Sequence, residues 1–426
     1  MSPAPSIPLI DDIESPYAWW RLVTSLLIMT VAGCAMYAVM VVLPTIQAEF
    51  GVDRAAASLP FTMLMIGFGF GGVLMGRLMD RFGITVPLVI AACSLCLGCV
   101  LASRAETLWE FALIHGVLIG LLGSSATFAP LLADISHWFA RRRGIAVAIC
   151  ACGNYLAGAV WPPVVQHFQT TAGWRTTYVG LGIFCLCTML PLSVVLRRRL
   201  RSVAAAVPSA AQVARFARQT LSPNTLITLL FVAGISCCVA MSMPQVHLVA
   251  LCSDLGFGPA RGAEMLSLML GLGVFSRLAS GFIADRIGGL RTLLIGAIMQ
   301  GIALCLFLPA DGLVSLYLVS GLFGLFQGGI VPTYAIIIRE YFPASQAGSR
   351  VGIVIMATLF GMALGGWMSG AIYDWSGSYT AAFVNGIGWN LLNVSIVCFL
   401  LWQQRQGAGV AARLNNGAEQ NLPQGA

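Results

Sequence analysis

Gly76-Arg77-Leu78-Met79-Asp80-Arg81-Phe82-Gly83 and, 205 positions later, Gly281-Phe282-Ile283-Ala284-Asp285-Arg286-Ile287-Gly288 are two copies of one pattern, Gly-x-x-x-Asp-Arg-x-Gly. Each copy closes one long apolar run and opens another, so each reads as a short charged turn between segments that avoid water. Two further echoes keep almost the same spacing: Pro44 and Pro244 lie 200 apart, and Trp138-Phe139 and Tyr341-Phe342 lie 203 apart. Three echoes in the same order at nearly one offset predict a duplicated unit of about 200 residues.

Working outward from the motif, the chain has 426 residues, of which 58% are hydrophobic and only 9% charged, with a mean hydropathy of +0.87. A soluble chain of this length carries roughly a quarter of its residues as Asp, Glu, Lys and Arg. The composition therefore excludes a secreted soluble domain, a nucleic-acid binder and a disordered protein. Apolar runs of the roughly 20 residues needed to cross ~30 Å of hydrocarbon lie at 20–43, 57–78, 84–102, 108–134, 144–166 and 176–196, and again at 224–251, 263–284, 292–309, 312–338, 351–373 and 381–402. The expected fold is an all-α membrane protein of twelve transmembrane helices, arranged as two pseudo-symmetric six-helix bundles. Parallel repeats of this kind are a transporter architecture, with the substrate site near midplane between the halves. The domain plan is a cytoplasmic segment 1–19, a first bundle 20–196, an Arg-rich cytoplasmic linker 197–223, a second bundle 224–402 and a disordered cytoplasmic tail 403–426. The first run is no cleavable signal, being too long and preceded by the acidic Asp11, Asp12 and Glu14.

All 23 basic residues are arginine. That excludes Schiff bases, lysine nucleophiles and lysine anion ligands, and with the richness in Ala and Gly it points to a GC-rich bacterial genome and a bacterial inner membrane. Counted by side, 18 arginines fall on the face that carries the termini and 4 (Arg54, Arg104, Arg175 and Arg261) on the other. Positive charge marks the cytoplasmic side, so both termini are expected there. Six of the 18 belong to the linker, which is suited to an anionic leaflet.

Arg277 belongs to neither face. It lies eight residues before Asp285, about 12 Å inside the helix end, where a charge costs ~3 kcal/mol on insertion scales. The duplicated unit offers no equivalent, because the matching position is Gly72. An arginine at that depth either snorkels toward headgroups or an acid at the helix end, or holds an anion. Its reach is too short to cover the distance alone, and its planar fork of donors suits a carboxylate. Other polar or aromatic residues deep in the runs are candidates to line the same cavity: Tyr37, Asn154 with its neighbour Tyr155, Gln327, and the rings of Phe128 and Phe326. In a bundle, such groups also serve simply to hydrogen-bond a neighbouring helix. The 13 cysteines sit mostly in apolar runs, where Cys acts as a small hydrophobe. Neither they nor His115, His137, His167 and His247 show the spacing of a metal site. No catalytic residue, metal ligand or cofactor is expected.

The doubled Gly-x-x-x-Asp-Arg-x-Gly loop, the six-plus-six layout and the basic linker resemble the major facilitator superfamily over about residues 20–402. The resemblance implies alternating access by rocking of the two halves. It also implies a latch for the outward-open state made by Asp80, Arg81, Asp285 and Arg286, with Asp134 as their partner. Within the superfamily, Ser276-Arg277-Leu278-Ala279-Ser280-Gly281-Phe282-Ile283-Ala284-Asp285-Arg286 is similar to the monocarboxylate-porter and oxalate:formate-antiporter group, whose arginine at this place binds the substrate carboxylate. The chain departs from that group in having Gly273 where the animal porters carry an Asp, and in having no lysine. Glycines four apart in the second run (Gly67/Gly71, Gly72/Gly76) and the eleventh (Gly361/Gly365, Gly366/Gly370) mark close helix contacts, either within a half or between the two.

Three functions are in contention. A transporter of a small organic anion, a monocarboxylate, is favoured by Arg277. A superfamily exporter of drugs or metabolites is the alternative, although the fifth run, Gly153-Asn154-Tyr155-Leu156-Ala157-Gly158, lacks the Gly-Pro-x-x-Gly-Gly of proton-driven exporters. An intramembrane enzyme or sensor has no catalytic dyad behind it. The expected partners are the organic anion and the lipid bilayer, with no nucleic acid, and the chain is expected to act as a monomer. A co-transported proton, anion exchange and uniport stay open.

Overall fold

The computed structural model describes residues 13–139, 141–198, 221–342 and 344–420. Among these, twelve helices are long and apolar enough to cross a membrane: α1 Pro16–Phe50, α2 Arg54–Phe82, α3 Thr85–Ala102, α4 Leu108–Trp138, α5 Arg143–Ala172, α6 Trp174–Val195, α7 Pro223–Asp254, α8 Pro259–Ile287, α9 Gly289–Phe307, α10 Leu313–Tyr341, α11 Gly348–Ser376 and α12 Tyr379–Gln406. Each expected run has its helix. Most helices outrun the apolar stretch because their caps lie in the polar flanks. Ser15 accepts from the Ala18 N–H with Pro16 at the first helical position, and Ser222 with Pro223 does the same for the Thr225 N–H at the start of α7. The duplicated unit therefore opens on the same Ser-Pro cap in both halves.

The last glycine of each motif copy has a conformational reason to be glycine. Gly83 and Gly288 take φ values of 81° and 85°, which a side chain would oppose, and let the chain turn directly into the next helix.

Helices α4 and α10 are both interrupted at midplane. In α4 a wide π-helical stretch, His115–Gly123, passes into a tight turn at Ser124–Thr127 before the helix resumes at Ala129. In α10 the break falls at Gly328-Gly329, between Leu313–Gln327 and Ile330–Tyr341. Gly123 and Gly328 are 205 apart, so the two breaks are the same feature in the two repeats. Interrupted helices free backbone groups where a site needs them.

Two antiparallel seams join the halves, α5 with α8 and α2 with α11. Along the first, Ser267 Oγ donates to the Ala159 carbonyl, the Tyr155 ring fills the notch over Gly273, and Arg277 reaches the Ala151 carbonyl. Along the second, Thr62 Oγ1 donates to the Ala363 carbonyl at 3.2 Å and Phe70 meets Phe360 with ring centroids 5.5 Å apart. Both seams stop short of the face that carries the termini. A Cβ added at Gly72, Gly76, Gly348 or Gly352 on the second seam, or at Gly144 or Gly281 on the first, would meet nothing within 4 Å. The halves are thus closed together on the face opposite the termini and parted on the termini's own face.

One expectation needs adjustment. The helix that begins as α12 continues to Gln420, where the sequence suggested a disordered tail. The expected linker 197–223 lies largely outside the described residues.

Candidate functional site

Arg277 projects from α8 into the junction of α5 and α10, where it is 4% exposed. Its guanidinium carbon stands 4.0 Å from the centroid of the Tyr155 ring. Nη1 donates to the Ala151 carbonyl at 2.7 Å and Nε to the Gly328 carbonyl at 3.2 Å. The Gly328 carbonyl is available because α10 breaks there. No acid pairs with Arg277 among the described residues, and its guanidinium shares a further side-chain hydrogen bond with the Tyr155 hydroxyl.

Gly273 has a structural counterpart. A Cβ at this position would collide with Tyr155 Cε1 and Cδ1. The ring that stacks on Arg277 occupies the space that a side chain one helical turn earlier would need. An aromatic face therefore stands where the resemblance would place a carboxylate, and it stabilises the cation without neutralising it.

Tyr37 and Asn154 come together as a pair, the Tyr37 hydroxyl donating to Asn154 Oδ1 at 2.8 Å. Asn154 lines a cleft with Met36, Phe68, Ser124 and Phe128, and Phe68 and Phe128 meet edge to face at 6.3 Å. About 10 Å³ of that cleft is free, the room of a single water molecule. Gln327 is fully buried beside Gly328; its Oε1 accepts from Gln245 Nε2 at 3.3 Å, and its own Nε2 has no partner. Phe326 is half-buried against the apolar core. The sequence reading missed Gln245. Its position one residue after Pro244 in an apolar run was the available signal.

The motif charges Asp80, Arg81, Asp285 and Arg286 are exposed on the open face, and none has an ion-pair partner among the described residues. Asp134 is engaged elsewhere. Its two oxygens take Arg21 Nη2 and Nε at 2.8 and 2.7 Å, and Arg21 is 1% exposed over the Trp138 ring. With a buried guanidinium already satisfying both oxygens, Asp134 is not a partner of the loops in this state. Arg21, counted from sequence only as a topology charge, is that partner. His115 bonds the Phe111 carbonyl and the Tyr178 hydroxyl and is fully buried, a packing role rather than a relay.

Comparison with known proteins agrees with this architecture. The model of the Major Facilitator Superfamily matches residues 25–311 and 230–416. Monocarboxylate transporter 13 of Bos taurus is 28% identical over 323 residues, covering 74% of this chain and 73% of that protein. The MFS-type transporter YcxA of Bacillus subtilis is 26% identical over 345 residues, covering 78% and 82%. Among solved structures, a bacterial homologue of the human lysosomal transporter Spinster, in an inward-facing and unoccupied conformation, aligns with a TM-score of 0.65 at 14% identity, over 92% of this chain and 96% of that one.

Proposed function

This chain belongs to the Major Facilitator Superfamily, and we propose that it carries a small organic monocarboxylate, chemically unchanged, across a bacterial inner membrane by rocker-switch alternating access. The observation that carries the substrate class is Arg277: a buried guanidinium with no acid beside it, held by two carbonyls and the Tyr155 side chain. A carboxylate docking bidentate would take Nη2 together with either Nη1 or Nε, displacing one of the two carbonyls. It would supply the counter-charge that the protein lacks. Tyr37, Asn154, Gln327 and the rings of Phe128 and Phe326 would line its path, and the cleft must widen to admit it.

With both termini cytoplasmic, as the arginine bias indicates, the open face is the inner one and this is an inward-facing state. Asp80, Arg81, Asp285 and Arg286, with Asp134, would then latch the inner face when it closes, and their freedom here is what an open inner latch requires. A proton crossing with the acid would enter bound to the substrate carboxylate, since α8 offers no acid beside Arg277. The carrier acts as a monomer.

A thermal-shift screen of organic acids on the purified protein identifies the best ligand, because binding to the folded state raises its apparent stability. Arg277→Gln should then weaken that ligand by roughly 30- to 5,000-fold, the equivalent of ~2–5 kcal/mol for a desolvated charge-assisted pair, while the protein still folds. Arg277→Lys should recover only part of it. Unchanged affinity in a well-folded Arg277→Gln protein would favour export of apolar metabolites. That second reading has its own support in a largely apolar crevice of about 350 Å³ between α2 and α11, lined by Thr62, Ile66, Phe70, Phe360 and Trp367.

A further inference from the structure

We infer that Arg54 is the central residue of the outer gate: this one residue of the first half, held by four side chains of the second, keeps the face opposite the termini shut. Arg54 opens α2 and is 6% exposed. Every polar side chain that holds it belongs to the other half. Nη2 donates to Asp254 Oδ1, at the end of α7, at 3.1 Å. Nη1 donates to the Tyr379 hydroxyl, at the start of α12, at 2.7 Å. The backbone N–H groups of Arg54 and Ala55 donate to the two oxygens of Asp374, at the end of α11, at 2.8 and 2.7 Å. The guanidinium carbon lies 4.8 Å from the centroid of the Tyr373 ring. Helix α2 is thereby pinned to α7, α11 and α12 at one point.

The hydrogen-bond directions are determined. His247 Nε2 faces the Gly366 carbonyl at 2.8 Å and must donate to it. In the neutral ring Nδ1 is then the acceptor, so the Tyr379 hydroxyl, 3.3 Å away, donates to it. The Tyr379 oxygen is left to accept from Arg54. The chain from Asp254 through Arg54 and Tyr379 to His247 and Gly366 is complete except at one atom: Arg54 Nε is buried without a partner. An unsatisfied buried donor is a cost that the closed gate carries, and opening to water relieves it. The lock is therefore strong enough to hold and incomplete enough to release. When the halves rock, Arg54 must leave both aspartates together, because they move as part of the other body.

Hydrogen–deuterium exchange of the ligand-free protein in nanodiscs tests the assignment without any substrate, so it stands or falls separately from the carboxylate reading. In Arg54→Gln, and in the milder Asp374→Asn, amides around 53–61 and 366–379 should exchange roughly tenfold or more faster, since a gate bond held their helix ends closed. In the same samples, amides around 72–83 and 344–352 should slow, as the opposite face closes. Arg54→Lys, which keeps the charge and loses the fork, should fall between. Faster exchange on both faces would mean that Arg54 merely stabilises the fold, and unchanged exchange on both would mean that the gate is held elsewhere; either result overturns the proposal. If Arg54→Gln fails to fold, Asp374→Asn and Arg54→Lys decide by the same two-faced readout.

Discussion

At the scale of the residue, the proposed carboxylate site rests on Tyr155 and Arg277. The arginine was legible in sequence because a charge in the middle of an apolar run has no bland explanation at that depth. The tyrosine was legible only as a polar neighbour of Asn154, because stacking depends on which way the ring turns. The two roles of the Tyr155 ring, over the cation and over Gly273, lead to a specific expectation. Tyr155→Phe keeps the ring and should bind the acid as the wild type does. Tyr155→Leu loses the cation–π contact, worth ~0.5–2 kcal/mol, and should weaken the acid roughly 2- to 30-fold, read by titration beside ligand-free melting. Equal affinity in the phenylalanine and leucine variants would show that the ring does not hold the guanidinium in its binding pose.

Among the elements, α2 with α11 and α5 with α8 are the surfaces on which the halves meet, and under the proposed rocking mechanism those on which they move. The glycine spacing in sequence pointed to α2 and α11 but left open whether they meet across the halves. The contact register answers this: α11 packs on α2 down to the level of Gly69, and the glycines beyond, Gly76 and Gly348, face open space. A side chain there costs this state nothing and blocks the closure of the other. Gly76→Leu and Gly348→Leu should therefore melt within ~0.5 kcal/mol of the wild type, as substitutions in open space do. Both should still bind the acid from the open face and yet lose most flux in proteoliposomes. Normal flux in both variants would mean that the halves do not approach at this level of the seam.

The whole molecule holds its open face together without closing it. Arg21 ties α1 to α4 through Asp134 and to the end of α6 through the carbonyls of Leu196 and Arg198, all inside the first half. That pair is a fixed rivet of one body, whereas the Arg54 cluster bridges two. Breaking the rivet should lower the stability of this state. Asp134→Ala strands a buried guanidinium, and losses of ~3–5 kcal/mol follow from removing one partner of such a pair. Thermal melting should show the full fall with no ligand present. A melting temperature within a degree or two of the wild type would show that Arg21 finds its charge balance elsewhere.

Sequence alone determined the twelve helices, the duplication, the positive bias of the termini's face and the solitary Arg277. Each of these rests on a one-dimensional quantity: hydropathy over the length of a bilayer, spacing, or the cost of a charge at a given depth. Only the tertiary structure decided what each charge faces. Asp134 meets Arg21 rather than the motif loops, Gly273 yields its space to Tyr155, and Arg54, one of four arginines on its side by count, collects Asp254, Asp374 and Tyr379 from three different helices. Those partners lie about 200 to 325 residues away along the chain. Which of them meet depends on how two rigid six-helix bodies are rocked against each other, and no local propensity or period in the chain encodes that angle.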